Sequence, residues 1–152
     1  MKVVLYRPEI PQNTGNIART CSLTGSSLIL IPPIGFFLNS QTVRRSSVRY
    51  VRTEDIEVWE KGENEWLKQF GSSCWMFSTR GELRYDQVIY EQFPVLLFGS
   101  ESSGLPDLWL EKFPQRTVKI PILTKGGSLN LSNSVSIAIY EVLRQRDFLP
   151  IN

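Results

Sequence analysis

Apolar and polar positions follow two different rhythms along this chain. Runs of four or five consecutive apolar residues mark buried strands, and stretches repeating near 3.6 residues mark helices. Lys2–Tyr6 reads as a buried strand, ended by Pro8 and Pro11. Asn13 is then suited to cap a helix over residues 14–24, with Gly25 just beyond it as the stop. Residues 28–31 form a strand cut off by Pro32-Pro33, and 40–47 suit a short helix. A weaker strand signal covers 56–59. Glu63–Phe70 places Trp66, Leu67 and Phe70 at helical spacing. Residues 75–78 and Val95–Phe98 read as strands. Residues 106–113 read as a helix whose first turn holds Pro106 and which carries Leu108, Trp109 and Phe113. Residues 117–120 form a strand closed by Pro121.

The last helix has the clearest pattern. Leu131, Val135, Ala138, Ile139, Val142 and Leu143 fall at helical intervals. Ile137 and Tyr140 widen that stripe beyond one core face. Two explanations stand: deep burial within one chain, or a seam between two copies. Alternation of strand and helix over the whole length predicts an α/β fold, a mostly parallel sheet with helices on both faces. Ligands of such sheets sit beyond the carboxyl ends of the strands. That directs attention to three loops, 8–13, 99–105 and 121–128.

At 152 residues with 41% hydrophobic content, the chain suits a single domain, 1–152, with one packed interior. Two cysteines, Cys21 and Cys74, are too few for a disulfide framework and read as buried thiols. No apolar run has the length of a membrane span, and the first residues are too short for a signal peptide, so a cytoplasmic protein with no membrane partner is expected. The net charge of +2 says little about a nucleic-acid partner, because basic patches can be local. The absence of histidine is more informative. It excludes an imidazole base, Ser-His-Asp and Cys-His catalysis and His-ligated zinc, and no metal site is expected. Chemistry must run on Arg, Lys, Asp, Glu, Ser, Asn or the backbone.

Three segments carry candidate chemistry. Pro11-Gln12-Asn13-Thr14-Gly15-Asn16-Ile17-Ala18-Arg19 opens a helix, and its free N–H groups suit an anion. Arg19 is either a planar cation for a phosphate or polar oxygen, or an ordinary solvated arginine. Gly99-Ser100-Glu101-Ser102-Ser103-Gly104 sets a carboxylate between glycines after a buried strand. It matches neither a dinucleotide fingerprint nor a phosphate-binding P-loop. Gly126-Gly127-Ser128-Leu129-Asn130-Leu131-Ser132-Asn133 crowds small polar groups before the last helix, with Ser132 or Asn133 as its expected cap. Separately, Arg44, Arg45, Arg49 and Arg52 with Tyr50 fall within nine residues, a candidate RNA contact or a solvated charged face.

In this order and at these separations, the three segments resemble those of the knotted SPOUT superfamily of RNA methyltransferases, and within it the minimal TrmL type of tRNA 2′-O-methyltransferase. The likeness runs from Val4-Leu5-Tyr6 to Tyr140-Glu141 and leaves no room for an additional RNA-binding domain. The resemblance implies a deep trefoil knot in the C-terminal half and S-adenosyl-L-methionine as methyl donor, giving S-adenosyl-L-homocysteine, without a metal. It implies Phe77, Ser78, Thr79, Gly99, Glu101, Ile120, Ile122, Ser128 and Leu129 around the donor. It also implies Arg19, Asn13, Glu101, Ser132 and Asn133 at the reaction. The expected partners are tRNA, methylated on the ribose of its wobble nucleotide, and a second copy completing each site. Action on ribosomal RNA or another tRNA position, or a silent RNA-binding module, are the alternatives. Gly127 stands where relatives often carry Arg, and Ser100 where many carry Pro.

Overall fold

The computed structural model describes residues 1–38, 43, 55–123 and 127–149. The expected helix at 40–47 (Val43 apart) and Arg44, Arg45, Arg49 and Arg52 lie outside the described residues. In chain order the elements are β1 (Lys2–Tyr6), α1 (Pro11–Leu23), β2 (Ser27–Ile31), β3 (Ile56–Val58), α2 (Glu63–Phe70), β4 (Cys74–Phe77), β5 (Leu83–Arg84), β6 (Val95–Phe98), α3 (Asp107–Lys112), β7 (Thr117–Lys119) and α4 (Leu131–Arg144). A 3-10 turn, Pro114–Arg116, precedes β7.

The seven strands form one sheet in the order β3-β2-β1-β6-β4-β7-β5. Every neighbouring pair is parallel. A parallel sheet covered on both faces needs strands that are apolar at every position, which is why β1, β2, β4 and β6 read as continuous hydrophobic runs. Alternate residues serve opposite cores. Val3, Leu5, Leu28, Leu30, Leu96 and Phe98 pack with Ile17 and Cys21 of α1 and with Val135, Ile139 and Val142 of α4. Val4, Tyr6, Ile29, Ile31, Met76 and Leu97 pack with Trp66 of α2 and with Trp109 and Leu110 of α3. The molecule is therefore three layers, with α1 and α4 on one face and α2 and α3 on the other. Cys21 and Cys74 are buried and free, and burial pushes both thiols up to about 12.

Several local expectations change. Helix α1 starts at Pro11, with Ile10 in the capping position and no side-chain cap. Asn13 therefore lies inside the first turn rather than capping it. Its buried side chain serves distant partners, described below. At the other end Gly25 adopts φ +62° and the Ser26 N–H reaches the Cys21 carbonyl at 2.9 Å, the left-handed stop expected of glycine there. The cap of α4 is Asn130, whose side chain accepts from the N–H groups of Ser132 and Asn133, so neither of those two residues is the cap. In α3, Trp109 and Leu110 are buried while Leu108 is 76% exposed. The helix presents a different face from the one its Leu108 suggested. Strand β5 went unread because its two residues are exposed and carry no alternation.

The strand order reverses between β1 and β6. From β1 the sheet grows through β2 to β3 on one side, and through β6, β4, β7 and β5 on the other. Loops leaving the carboxyl ends of β1 and β6 therefore diverge from adjacent strands and leave a crevice between them.

Candidate active site

A cavity of about 510 Å³ opens at the carboxyl ends of four adjacent strands. Ile10 and Asn13 reach it from the segment after β1. Residues 98–105 follow β6, residues 77–80 end β4, and Ile120 and Ile122 follow β7. Residues 127–131, leading into α4, close the remaining side. Phe77, Ser78, Thr79, Gly99, Glu101, Ile120, Ile122, Ser128 and Leu129 all line it.

The glycines of the 99–104 turn are required by its shape. A Cβ on Gly99 would stand 2.0 Å from the Gly104 carbonyl carbon. Gly104 itself adopts φ +70°, and the turn is closed by the Ser100 N–H to the Gly104 carbonyl at 3.2 Å and the reverse bond at 3.0 Å. Only glycine at 99 lets the two backbone strands of the turn approach so closely.

Glu101, at the tip of that turn, is a receiver of N–H groups. Its carboxylate accepts from the Glu9 N–H at 2.8 Å, the Ile10 N–H at 3.2 Å and Asn13 Nδ2 at 2.9 Å. The anion at the start of α1 is thus supplied by the chain's own Glu101, where the sequence pattern suggested a bound phosphate. Asn13 continues the network. Its Oδ1 accepts from Asn130 Nδ2 at 2.9 Å, and Asn130 Oδ1 accepts from the Ser132 N–H at 2.9 Å and Ser132 Oγ at 2.7 Å. Three loops far apart in sequence are joined by side-chain amides and one carboxylate. A carboxylate with three N–H donors is built to position its surroundings rather than to exchange protons.

The remaining candidate residues are placed differently. Arg19 is exposed on α1 and does not line the cavity. It stands about 9 Å further along the helix axis than Asn13, at 1.5 Å per residue. Ser132 and Asn133 sit in the first turn of α4, bonded to Asn130, and do not line the cavity. Arg80 and Asn130 are among the lining residues to which the sequence pattern assigned no role. Arg80 forms an ion pair with Asp107 of α3 at the rim. The alternation of polar residues with leucine over 128–132 contained the signal for Asn130, but the capping preference of Ser132 and Asn133 competed with it.

The second polar assembly near the cavity lies on the opposite face of the sheet. Glu63 at the start of α2 accepts from Tyr6 Oη at 2.9 Å and from Arg7 Nη2 at 2.7 Å. Burial and the bond to Glu63 push the Tyr6 phenol up to about 12. Arg7 holds φ +48°, a left-handed conformation unusual for arginine, which turns the chain from β1 toward Glu9.

Fold and cavity together define an α/β protein with a cavity at the carboxyl ends of the strands of a parallel sheet. The chain belongs to the SpoU methylase family, since the model of the SpoU rRNA Methylase family matches residues 1–140. Over 147 residues, covering 96% of each chain, it is 37% identical to the tRNA (cytidine(34)-2'-O)-methyltransferase of Methylovorus glucosotrophus. It superposes with a TM-score of 0.87, at 40% identity and covering 96% of this chain and 95% of the other, on a solved structure that concerns the 2-OH methylation of C/U34 on tRNA. An AdoMet-bound rRNA methyltransferase from Sinorhizobium meliloti matches with a TM-score of 0.78 and 26% identity, covering 94% of this chain and 55% of that one. Among the described residues no helix is long and apolar enough to cross a membrane.

Proposed function

We propose that this protein transfers a methyl group from S-adenosylmethionine to the ribose 2′-hydroxyl of the wobble nucleotide of tRNA. The supporting observation is convergence: nine residues from four separate segments, singled out as donor contacts, line one cavity. Relatives named for methylation at position 34 match nearly the whole chain.

The cavity suits the donor on physical grounds. Its volume of about 510 Å³ lies within the range of small-molecule sites. Phe77, Phe98, Ile120, Ile122 and Leu129 supply apolar walls for a flat base, and Ser78, Thr79, Ser128 and the backbone of the glycine turn supply polar groups for a sugar and an amino-acid end. The donor, when bound, supplies an electrophilic methyl carried on a positively charged sulfur. The chain's own task is then alignment, because transfer to an oxygen needs the reacting atoms held ~3–3.5 Å apart. Glu101, Asn13 and Asn130 fix the loops that set this alignment.

Arg19 is assigned to the acceptor. A guanidinium stays protonated, so it is not the base; it orients the hydroxyl or a neighbouring phosphate and stabilises the developing alkoxide. Its place on the exposed face of α1, away from its own chain's cavity, favours a homodimer in which it serves the partner's site. The width of the apolar stripe on α4 favours the same arrangement, since Tyr140 is 55% exposed and Ile137 is only partly covered. Arg44, Arg45, Arg49 and Arg52 are the cluster assigned to RNA. The return of residues 127–131 beside the 99–104 turn is in keeping with a trefoil knot, and the cytoplasm is the compartment where tRNA would be met.

The test is to incubate tRNA with labelled donor and the protein, then map the methylated nucleotide. Methyl on the ribose at position 34 is the expected result; methyl on a base or at another position overturns the assignment. Arg19→Ala is expected to abolish turnover while S-adenosylhomocysteine still binds, and full turnover by that variant removes Arg19 from the reaction.

A further inference from the structure

One exposed contact at the site has no role in the scheme above. Glu9, in the loop after β1, reaches across to the glycine turn. Its carboxylate accepts from the Ser102 N–H at 3.2 Å and from Ser102 Oγ at 2.6 Å. In the other direction the Glu9 N–H donates to Glu101 at 2.8 Å. Each of the two loops therefore carries a carboxylate that binds the backbone of the other. The Glu9 side is held from behind: the Gly35 N–H bonds the Pro8 carbonyl at 2.9 Å, and a Cβ on Gly35 would stand 3.1 Å from the Glu9 Cα. The Ser102 side belongs to the cavity wall itself, whereas Glu9 does not line the cavity.

We infer that Glu9 is a positioning residue for methyl transfer, acting through Ser102 to lock the donor-side wall against the first turn of α1, whose Asn13 lines the same cavity. This rests on the function proposed above. The 99–104 turn is one wall of the cavity, and α1, whose Asn13 lines that cavity too, begins two residues after Glu9. Donor binding draws on several other segments, at 77–79, 120–122 and 128–129. The registration between wall and helix draws on Glu101 and Glu9 alone among the bonds described here between these two loops. Loss of the Glu9 half leaves the cavity in place but lets the wall drift relative to α1. An offset near 1 Å between reacting groups is enough to slow transfer greatly. Both partners are exposed, so their bond contributes little to folding. A purely structural contact of this kind would leave turnover unchanged at temperatures where the protein is folded.

The experiment measures kcat at saturating tRNA, KM for the donor, calorimetric binding of S-adenosylhomocysteine and melting, for the parent and for Glu9→Ala, Glu9→Gln, Ser102→Ala and Glu9→Ala/Ser102→Ala. In Glu9→Ala, kcat is expected to fall about tenfold or more while the Kd for S-adenosylhomocysteine stays within about twofold. Glu9→Gln keeps the bond, since its amide oxygen accepts from the Ser102 N–H and its NH₂ donates to the hydroxyl, and is expected near the parent. The double variant is expected to be no slower than Glu9→Ala alone, because both changes remove one interaction. A kcat for Glu9→Ala within twofold of the parent, a Glu9→Gln as slow as Glu9→Ala, or losses that multiply in the double variant would each overturn the inference. A parent protein that binds S-adenosylhomocysteine but methylates no tRNA overturns the proposed function instead, before any variant is made.

Discussion

The two faces of the sheet are built from the same strands yet use their helices differently. On the α2 and α3 face, aromatic side chains cluster: Trp66 and Phe70 lie with ring centroids 4.5 Å apart, Trp59 meets Trp66 edge-on at 5.2 Å, and Tyr6 leans on Trp109 at 4.9 Å. On the α1 and α4 face, the core is aliphatic along the helices and becomes polar at their first turns, where Asn13 and Asn130 bond to each other. The helices of the first face contribute large aromatic side chains, Trp66, Phe70 and Trp109, whose truncation leaves large cavities. The other commits its helix starts to a hydrogen-bonded network whose value lies in placement. Stability and chemistry thus draw on different side chains of a single sheet.

The largest effect that could break this division is Trp66→Ala, expected to cost about 3–5 kcal/mol of folding free energy. Denaturant unfolding measures the loss. Calorimetry on the folded fraction should find S-adenosylhomocysteine bound nearly as in the parent; a parallel loss of affinity would show that the two faces are not separable. Next comes Gly99→Ala. Its new methyl meets backbone rather than a flexible side chain, so the turn must shift, at about 1–3 kcal/mol. The expected readout is donor-analogue affinity weakened about ten- to hundredfold, since each 1.4 kcal/mol is about tenfold.

A smaller change probes α4 away from its network. The Arg144 bonds to Glu141 hold its carboxyl below the ordinary glutamate value of 4.5, with Gln145 adding to them against the opposing effect of burial. A depressed folded-state value stabilises above the unfolded value and fades as pH falls through the folded one. Glu141→Gln is therefore expected to cost about 1 kcal/mol near neutral pH, measured by urea unfolding. That difference should shrink below the ordinary glutamate value of 4.5. A difference independent of pH would mean that packing, not charge, sets the cost. Last, Leu108→Ser on the exposed side of α3 should change stability by less than about 0.5 kcal/mol. A larger loss would mean that the face is covered.

Pattern alone was enough for β1–β4, β6, β7, the helices α1–α4 and the parallel arrangement, but not for the exposed two-residue β5. Val3, Val4 and Leu5, or Leu96, Leu97 and Phe98, are apolar without interruption because both faces of a covered sheet must be filled. It also pointed to the loops after β1, β6 and β7, while the wall at Phe77, Ser78 and Thr79 came from the family resemblance. Only the tertiary structure decided what Asn13, Glu101 and Asn130 do. Local pattern made Asn13 a helix cap, yet its partners Glu101 and Asn130 lie 88 and 117 residues further along the chain. Capping preferences report energies among near neighbours, whereas the chain of bonds from Glu101 through Asn13 to Asn130 depends on the strand order that brings their three loops together. Periodicity encodes which face of an element is buried and carries no information about which distant loop it will meet.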